Sequence, residues 1–153
     1  MNSESPNGEM IEASVKAAFP EAVESTIDFR GEKTLVIKQE FLRDVCTHLR
    51  DDVKLKFDFL EDIVADDLLP EYPRFAVNYH ISSTKFRHQI RLRVPVEDPD
   101  DGPDTLTPVW PVASWLEIEV WDLMGITFKG NDKLRRLFLP EDWQGHPLRK
   151  DYP

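Results

Sequence analysis

The chain has 153 residues, 41% hydrophobic and 31% charged, with a net charge of −10 from 29 acidic against 19 basic side chains. That is the length and balance of one globular domain, and the negative excess argues against nucleic acid and anionic membrane surfaces as partners of the molecule as a whole. The single cysteine, Cys46, rules out a disulfide framework within the chain and cannot by itself hold an iron–sulfur cluster or a structural zinc.

The first ten residues, MNSESPNGEM, lack the basic and apolar regions of a secretory signal, and no apolar run approaches the roughly 20 residues that cross a bilayer. A chain retained inside the cell is expected, with residues 1–8 disordered. Met10, Ile11, Val15, Ala18 and Phe19 then recur at helical spacing up to Pro20 and predict a first helix. Residues 25–29 and 34–38 are extended runs separated by Arg30, Gly31, Glu32 and Lys33, the pattern of a hairpin. In residues 39–50, Phe41, Leu42, Val45, Cys46 and Leu49 form one helical stripe, with Cys46 on its buried side as an inert small hydrophobe.

Three strands are expected next. Val53, Leu55, Phe57 and Phe59 alternate with charged residues; Phe75, Val77, Tyr79 and Ile81 form a second alternating set, and Ile90, Leu92, Val94 and Val96 a third. Residues 97–108, with five carboxylates and three prolines, cannot continue a strand and read as a solvated acidic loop; the ligand order of a calcium loop is not met. Helix, two strands, helix, three strands, helix is the order of an α+β fold. It predicts a two-layer sandwich, with helices on one face of a largely antiparallel or mixed sheet. Residues 9–144 are expected to form this single domain and residues 145–153 an arm.

The last helix is predicted over residues 110–125, from the Pro111 opening to Gly125 as the stop. Val112, Trp115, Leu116, Val120 and Leu123 fall on one arc, with Glu119 in its middle. A carboxylate there needs a cation or an edge that another chain covers. Ile118 and Trp121 stand with Glu117 and Asp122 on the opposite side, covered either by a second contact surface or by loops of the same chain.

The chemistry-bearing residues form no enzyme signature. There is no Gly-rich phosphate loop, nucleophile elbow, HExxH or paired-cysteine motif, and His48, His80 and His88 read as ordinary polar residues. A free-standing enzyme would have to use His146 with Glu119 or Asp122 as an acid–base pair. Arg135, Arg136, Arg149 and Lys150 form a basic cluster suited to pairing with carboxylates such as Glu119 and Asp122 or those of a partner.

The run WPVASWLEIEVWDLMGITFKGNDKLRRLFLPEDWQGHPLRKDYP resembles the C-terminal signature of the 30 kDa subunit family of NADH:quinone oxidoreductase, respiratory complex I. The motif comprises Glu117, Glu119, Asp122, Gly125, the pair Arg135 and Arg136, the LPEDW block and residues 145–153. YHISSTKFRHQIRLRVPV upstream looks like the family's paired strands. The chain departs from the family pattern at Ile118, where an arginine is usual, and at Gly130 to Leu134, where the family usually has Gly-His-Pro-Asp-Leu.

The resemblance implies an accessory subunit of the peripheral arm, without cofactor or catalytic residues of its own. FMN and iron–sulfur clusters would sit in partner subunits, and this chain would pack against the quinone-reduction module on the cytoplasmic side of a bacterial inner membrane, touching the membrane only through the complex. A related membrane-bound hydrogenase or ferredoxin- or deazaflavin-fed dehydrogenase would use the chain in the same way. The interface expected from the resemblance comprises Glu117, Glu119, Trp121, Asp122, Arg135, Arg136, His146, Pro147, Arg149, Lys150, Asp151 and Tyr152. The charges of residues 145–153 would be satisfied by neighbouring chains, so their removal is expected to leave a folded domain that no longer incorporates.

Overall fold

A computed structural model describes residues 8–153; the expected disorder of residues 1–7 lies outside that range, and Gly8 itself opens the first helix. The elements are α1 (Gly8–Ala18), β1 (Val23–Phe29), β2 (Glu32–Ile37), α2 (Leu42–Asp51, after one 3-10 turn at Gln39–Phe41), β3 (Phe59–Asp67), β4 (Phe75–Ser82), β5 (Gln89–Val96) and α3 (Ala113–Met124). The five strands form one sheet in the order β1-β2-β5-β4-β3. All neighbours are antiparallel except β2 and β5, which join the β1–β2 hairpin in parallel to the β3–β4–β5 meander. This is the α+β order expected from sequence.

Alternation along the strands sorts the sheet into two faces. Leu35, Leu92, Tyr79 and Ile63 are cross-strand partners in one row, all buried, and they share a core with Ile11 and Val15 of α1, Val45, Cys46 and Leu49 of α2, and Val120 and Met124 of α3. The adjacent row, Thr34, Arg91, His80 and Asp62, lies on the opposite face. There Arg91 Nε donates to His80 Nε2, and the other ring nitrogen of His80 faces the Asp62 carboxylate. Burial pushes the Cys46 thiol far up, so it packs as a small inert side chain.

The expected strand at 53–59 is displaced. The backbone after α2 turns back on the helix: Asp52 donates to the His48 carbonyl, Phe57 to that of Leu49, and Lys56 takes a positive φ of 44°. Leu55 and Phe57 are buried under that turn, whereas Val53 and Phe59 are exposed, so the alternation does not mark one sheet face. The strand itself begins at Phe59. It escapes a period-two pattern because a bulge between Leu60 and Asp62 makes Leu60 and Ile63 the inward pair.

Candidate functional site

The charged and aromatic residues of the motif converge on α3 and the chain that follows it. Trp110 Nε1 donates to the Phe57 carbonyl at 3.0 Å, fixing the start of the helix near the start of β3. At its other end Gly125 takes φ 79°, the left-handed conformation in which helices commonly stop. The helix therefore runs beside β3, with its later turns next to Ile63–Ala65.

The arc expected from sequence is only partly turned inward: Val120 is buried in the core, but the far side of the helix is buried too. Glu117, Ile118 and Asp122 are buried, Val112 and Trp115 are about half exposed, and Glu119, Leu116 and Leu123 are intermediate. The cause is that loops of the same chain cover the far side and bring hydrogen-bond donors with them. Glu117 accepts from Thr105 Oγ1 at 2.6 Å, Leu106 N at 2.8 Å and Asn131 Nδ2 at 2.9 Å. Burial raises its pKa, and these three bonds only partly offset the rise.

Asp122 is the opposite case. Its Oδ2 accepts from the backbone N–H groups of Leu137, Phe138 and Leu139 at 2.7–3.2 Å, and Oδ1 from Arg136 at 2.9 Å. Burial pushes this carboxyl up, but three amides and a guanidinium outweigh it and leave the pKa below the ordinary aspartate value. Arg136 also donates to the Asp122 and Gly145 carbonyls and lies over the Trp121 ring. Trp121 is thus roofed by Arg136 and, edge-on, by His146.

Residues 145–153 close the free end of α3. Leu148 N donates to the Leu123 carbonyl, Arg149 to those of Met124 and Gly125, and His146 Nδ1 to that of Asp122. The last three carbonyls of the helix and that of Gly125 are thereby satisfied, and the guanidinium of Arg149 brings a positive charge that suits that end. Lys150 N then binds Asp67 Oδ2 at 2.7 Å and its Nζ the Leu69 carbonyl, while Asp151 pairs with Arg74, itself bound to Asp67. Arg74 and these amides hold the Asp67 carboxyl far below its ordinary range. The structure corrects the expectation that neighbouring chains satisfy this segment: it pairs His146, Arg149, Lys150 and Asp151 within the chain.

The remaining expected interface residues are distributed accordingly. Arg135 is exposed, Pro147 and Tyr152 are partly covered, and Glu119 meets no cation among the described residues. Sequence reading misses Asp67 and Arg74, which lie far upstream of the motif; the one hint is a charged pair flanking the Pro70 and Pro73 turn.

The acid–base pair an enzyme would need does not form. His146 donates to a backbone carbonyl, and the carboxylate of Asp122 is fully engaged elsewhere. A cavity of about 700 Å³ is lined by Lys38, Glu40, Glu97, Asp98 and Lys129 and includes neither His146, Glu119 nor Asp122.

Residues 35–153 match the family described as respiratory-chain NADH dehydrogenase, 30 Kd subunit. The chain belongs to this family. Among its relatives, the C-subunit of NADH-quinone oxidoreductase from Roseiflexus sp. (strain RS-1) is 42% identical over 139 residues, covering 91% of this chain and 80% of the relative. The corresponding protein of Citrifermentans bemidjiense is 41% identical over 139 residues, 91% of this chain and 85% of the relative. A solved structure of a trypsin-resistant fragment of Nqo5 superposes with a TM-score of 0.68 at 31% identity, covering 80% of this chain and 96% of that one. A chain of a membrane-bound sulfane sulfur reductase shares the fold, with a TM-score of 0.76 at 21% identity over 95% of this chain and 85% of that one. Among the described residues no helix is long and apolar enough to cross a membrane.

Proposed function

We propose that this chain is an accessory subunit of the peripheral arm of an NADH:quinone oxidoreductase, carrying no cofactor of its own and stabilising the quinone-reduction module. Flavin and iron–sulfur centres belong to partner subunits in this reading, and the chain reaches the cytoplasmic face of the membrane only through them. The observation that carries it is the way the family motif is used. Its charged residues build a rigid block from α3 and residues 136–152, and that block presents Trp115, Phe138, Trp143 and Leu148 to the outside. Large apolar side chains around a pre-organised scaffold are what a protein partner covers. Glu119, Arg135 and Tyr152 lie among them as polar contacts, while Glu117, Trp121, Asp122, Arg136, His146, Pro147, Arg149, Lys150 and Asp151 shape the block from within.

The test is to tag the chain in its host, solubilise membranes gently and identify what co-purifies. Flavin- and cluster-bearing subunits with NADH:quinone activity are expected. Recovery of the tagged chain alone beside a normal complex would sink the reading. Deleting residues 145–153 is a poor discriminator, because it also uncaps α3 and strips Asp67 of a partner. Trp115→Ser and Leu148→Ser, at exposed positions, are expected to reduce incorporation while the isolated domain keeps its unfolding midpoint.

A further inference from the structure

The sheet ends in β3, which pairs with β4 on one side and with no strand among the described residues on the other. Its sequence, FLEDIVADD, has neither proline nor a basic residue, two common means by which proteins blunt an edge; the bulge at Glu61 interrupts only its first part. The regular stretch from Asp62 to Asp67 is left as an open ladder of backbone donors and acceptors. α3 lies alongside, and the two enclose a groove of about 140 Å³ lined mainly by Ile63, Ala65, Val120, Leu123 and Leu148, with Glu119 among its walls.

We infer that this edge and groove receive an extended, basic and apolar segment of a neighbouring subunit, added to the sheet as a strand beside β3. The inference rests on the accessory-subunit reading above. An extended occupant is required because only a strand can pair with the open ladder while sending every second side chain into the groove; a helix could fill the groove but leaves the ladder unmet. Its charge follows from complementarity. Glu119 lines the groove without a cationic partner among the described residues, whereas Asp62 and Asp66, on the other face of the strand, are already paired with His80 and Arg93. An aliphatic side chain fills the space between Ile63 and Leu123, and a Lys or Arg one step along meets Glu119. This also accounts for a carboxylate in the middle of an otherwise apolar helical stripe.

The experiment places a photo-crosslinking phenylalanine analogue at Val64, at Glu119 and, on the far edge strand, at Phe29, each in the full chain within its host. The complex is isolated and cross-linked peptides are sequenced. Cross-links from Val64 and Glu119 to one short segment of a single neighbouring protein, with alternating apolar residues and at least one Lys or Arg, are expected. In parallel, Glu119→Lys is expected to lower co-purification at least tenfold, and the charge-matched Glu21→Lys to leave it unchanged. If the chain co-purifies but Val64 and Glu119 cross-link to a helix, to a second copy of this chain or to nothing, the strand inference is overturned and the accessory-subunit reading stands. If the unsubstituted chain does not co-purify, both fall.

Discussion

Asp122 shapes the chain that follows its helix. One carboxylate holds three consecutive amides and a guanidinium, so the segment from Arg136 to Leu139 has its shape dictated from the helix. Asp122→Ala would leave Arg136 and those amides without their acceptor, and a loss of about 3 kcal/mol is expected by urea denaturation. Asp122→Asn keeps an acceptor oxygen and should cost less. Equal losses for the two would show that the retained acceptor oxygen contributes nothing without the charge. Glu117 is the buried counterpart without a cation among the described residues. Sequence reading notices both residues and leaves open whether a second contact surface or loops of the same chain cover them, because a helical wheel ranks faces by hydrophobicity and does not know that Thr105, Leu106 and Asn131 arrive as donors.

At the scale of elements, α3 and its cap depend on Gly125. A methyl group there would lie 2.5 Å from Arg149 Nη2 and His146 Cδ2, on a backbone that disfavours any side chain. Gly31 has a similar φ, but its surroundings are open. Both substitutions to alanine should cost about 1 kcal/mol for the backbone, and Gly125→Ala alone should also free residues 145–153, seen as faster tryptic cleavage after Arg149 and Lys150. Equal cleavage in the two variants would contradict this. The contrast also shows what was legible: helix α2 and strands β4 and β5 announced themselves by an unbroken period, because each buries at least one continuous face. Strand β3 did not, since its bulge breaks the period and its edge position leaves half its residues charged. The direction of the final segment was unreadable, because its acceptors, the carbonyls of α3 and the carboxylate of Asp67, are supplied by the fold.

For the whole molecule, the buried carboxyls act on stability in opposite senses with pH. Asp67 and Asp122 have folded pKa values below their unfolded ones, so their contributions are present above the ordinary aspartate range and lost as pH falls through the folded values. Glu117 is raised, so its contribution is complete below the ordinary glutamate range and lost as pH rises through its folded value. Denaturation midpoints measured from pH 3 to 8 should therefore fall steeply on the acid side. On the neutral side, Glu117→Gln should lessen the decline that remains in the parent. An unchanged neutral-side slope in that variant would mean that Glu117 ionises as freely in the folded chain as in the unfolded one.

The parallel joint between β2 and β5 gives the sheet an order in time. Thr34–Val36 meet Arg91–Arg93, so the first hairpin leaves the ribosome well before the strand that completes it and must wait, one inner edge open, while β3 and β4 are made. The meander meets no such delay, because β3, β4 and β5 follow one another and pair as they emerge. A nascent chain stalled before β5 is thus the form of this protein most exposed to mispairing, and the form on which a chaperone would have most to do.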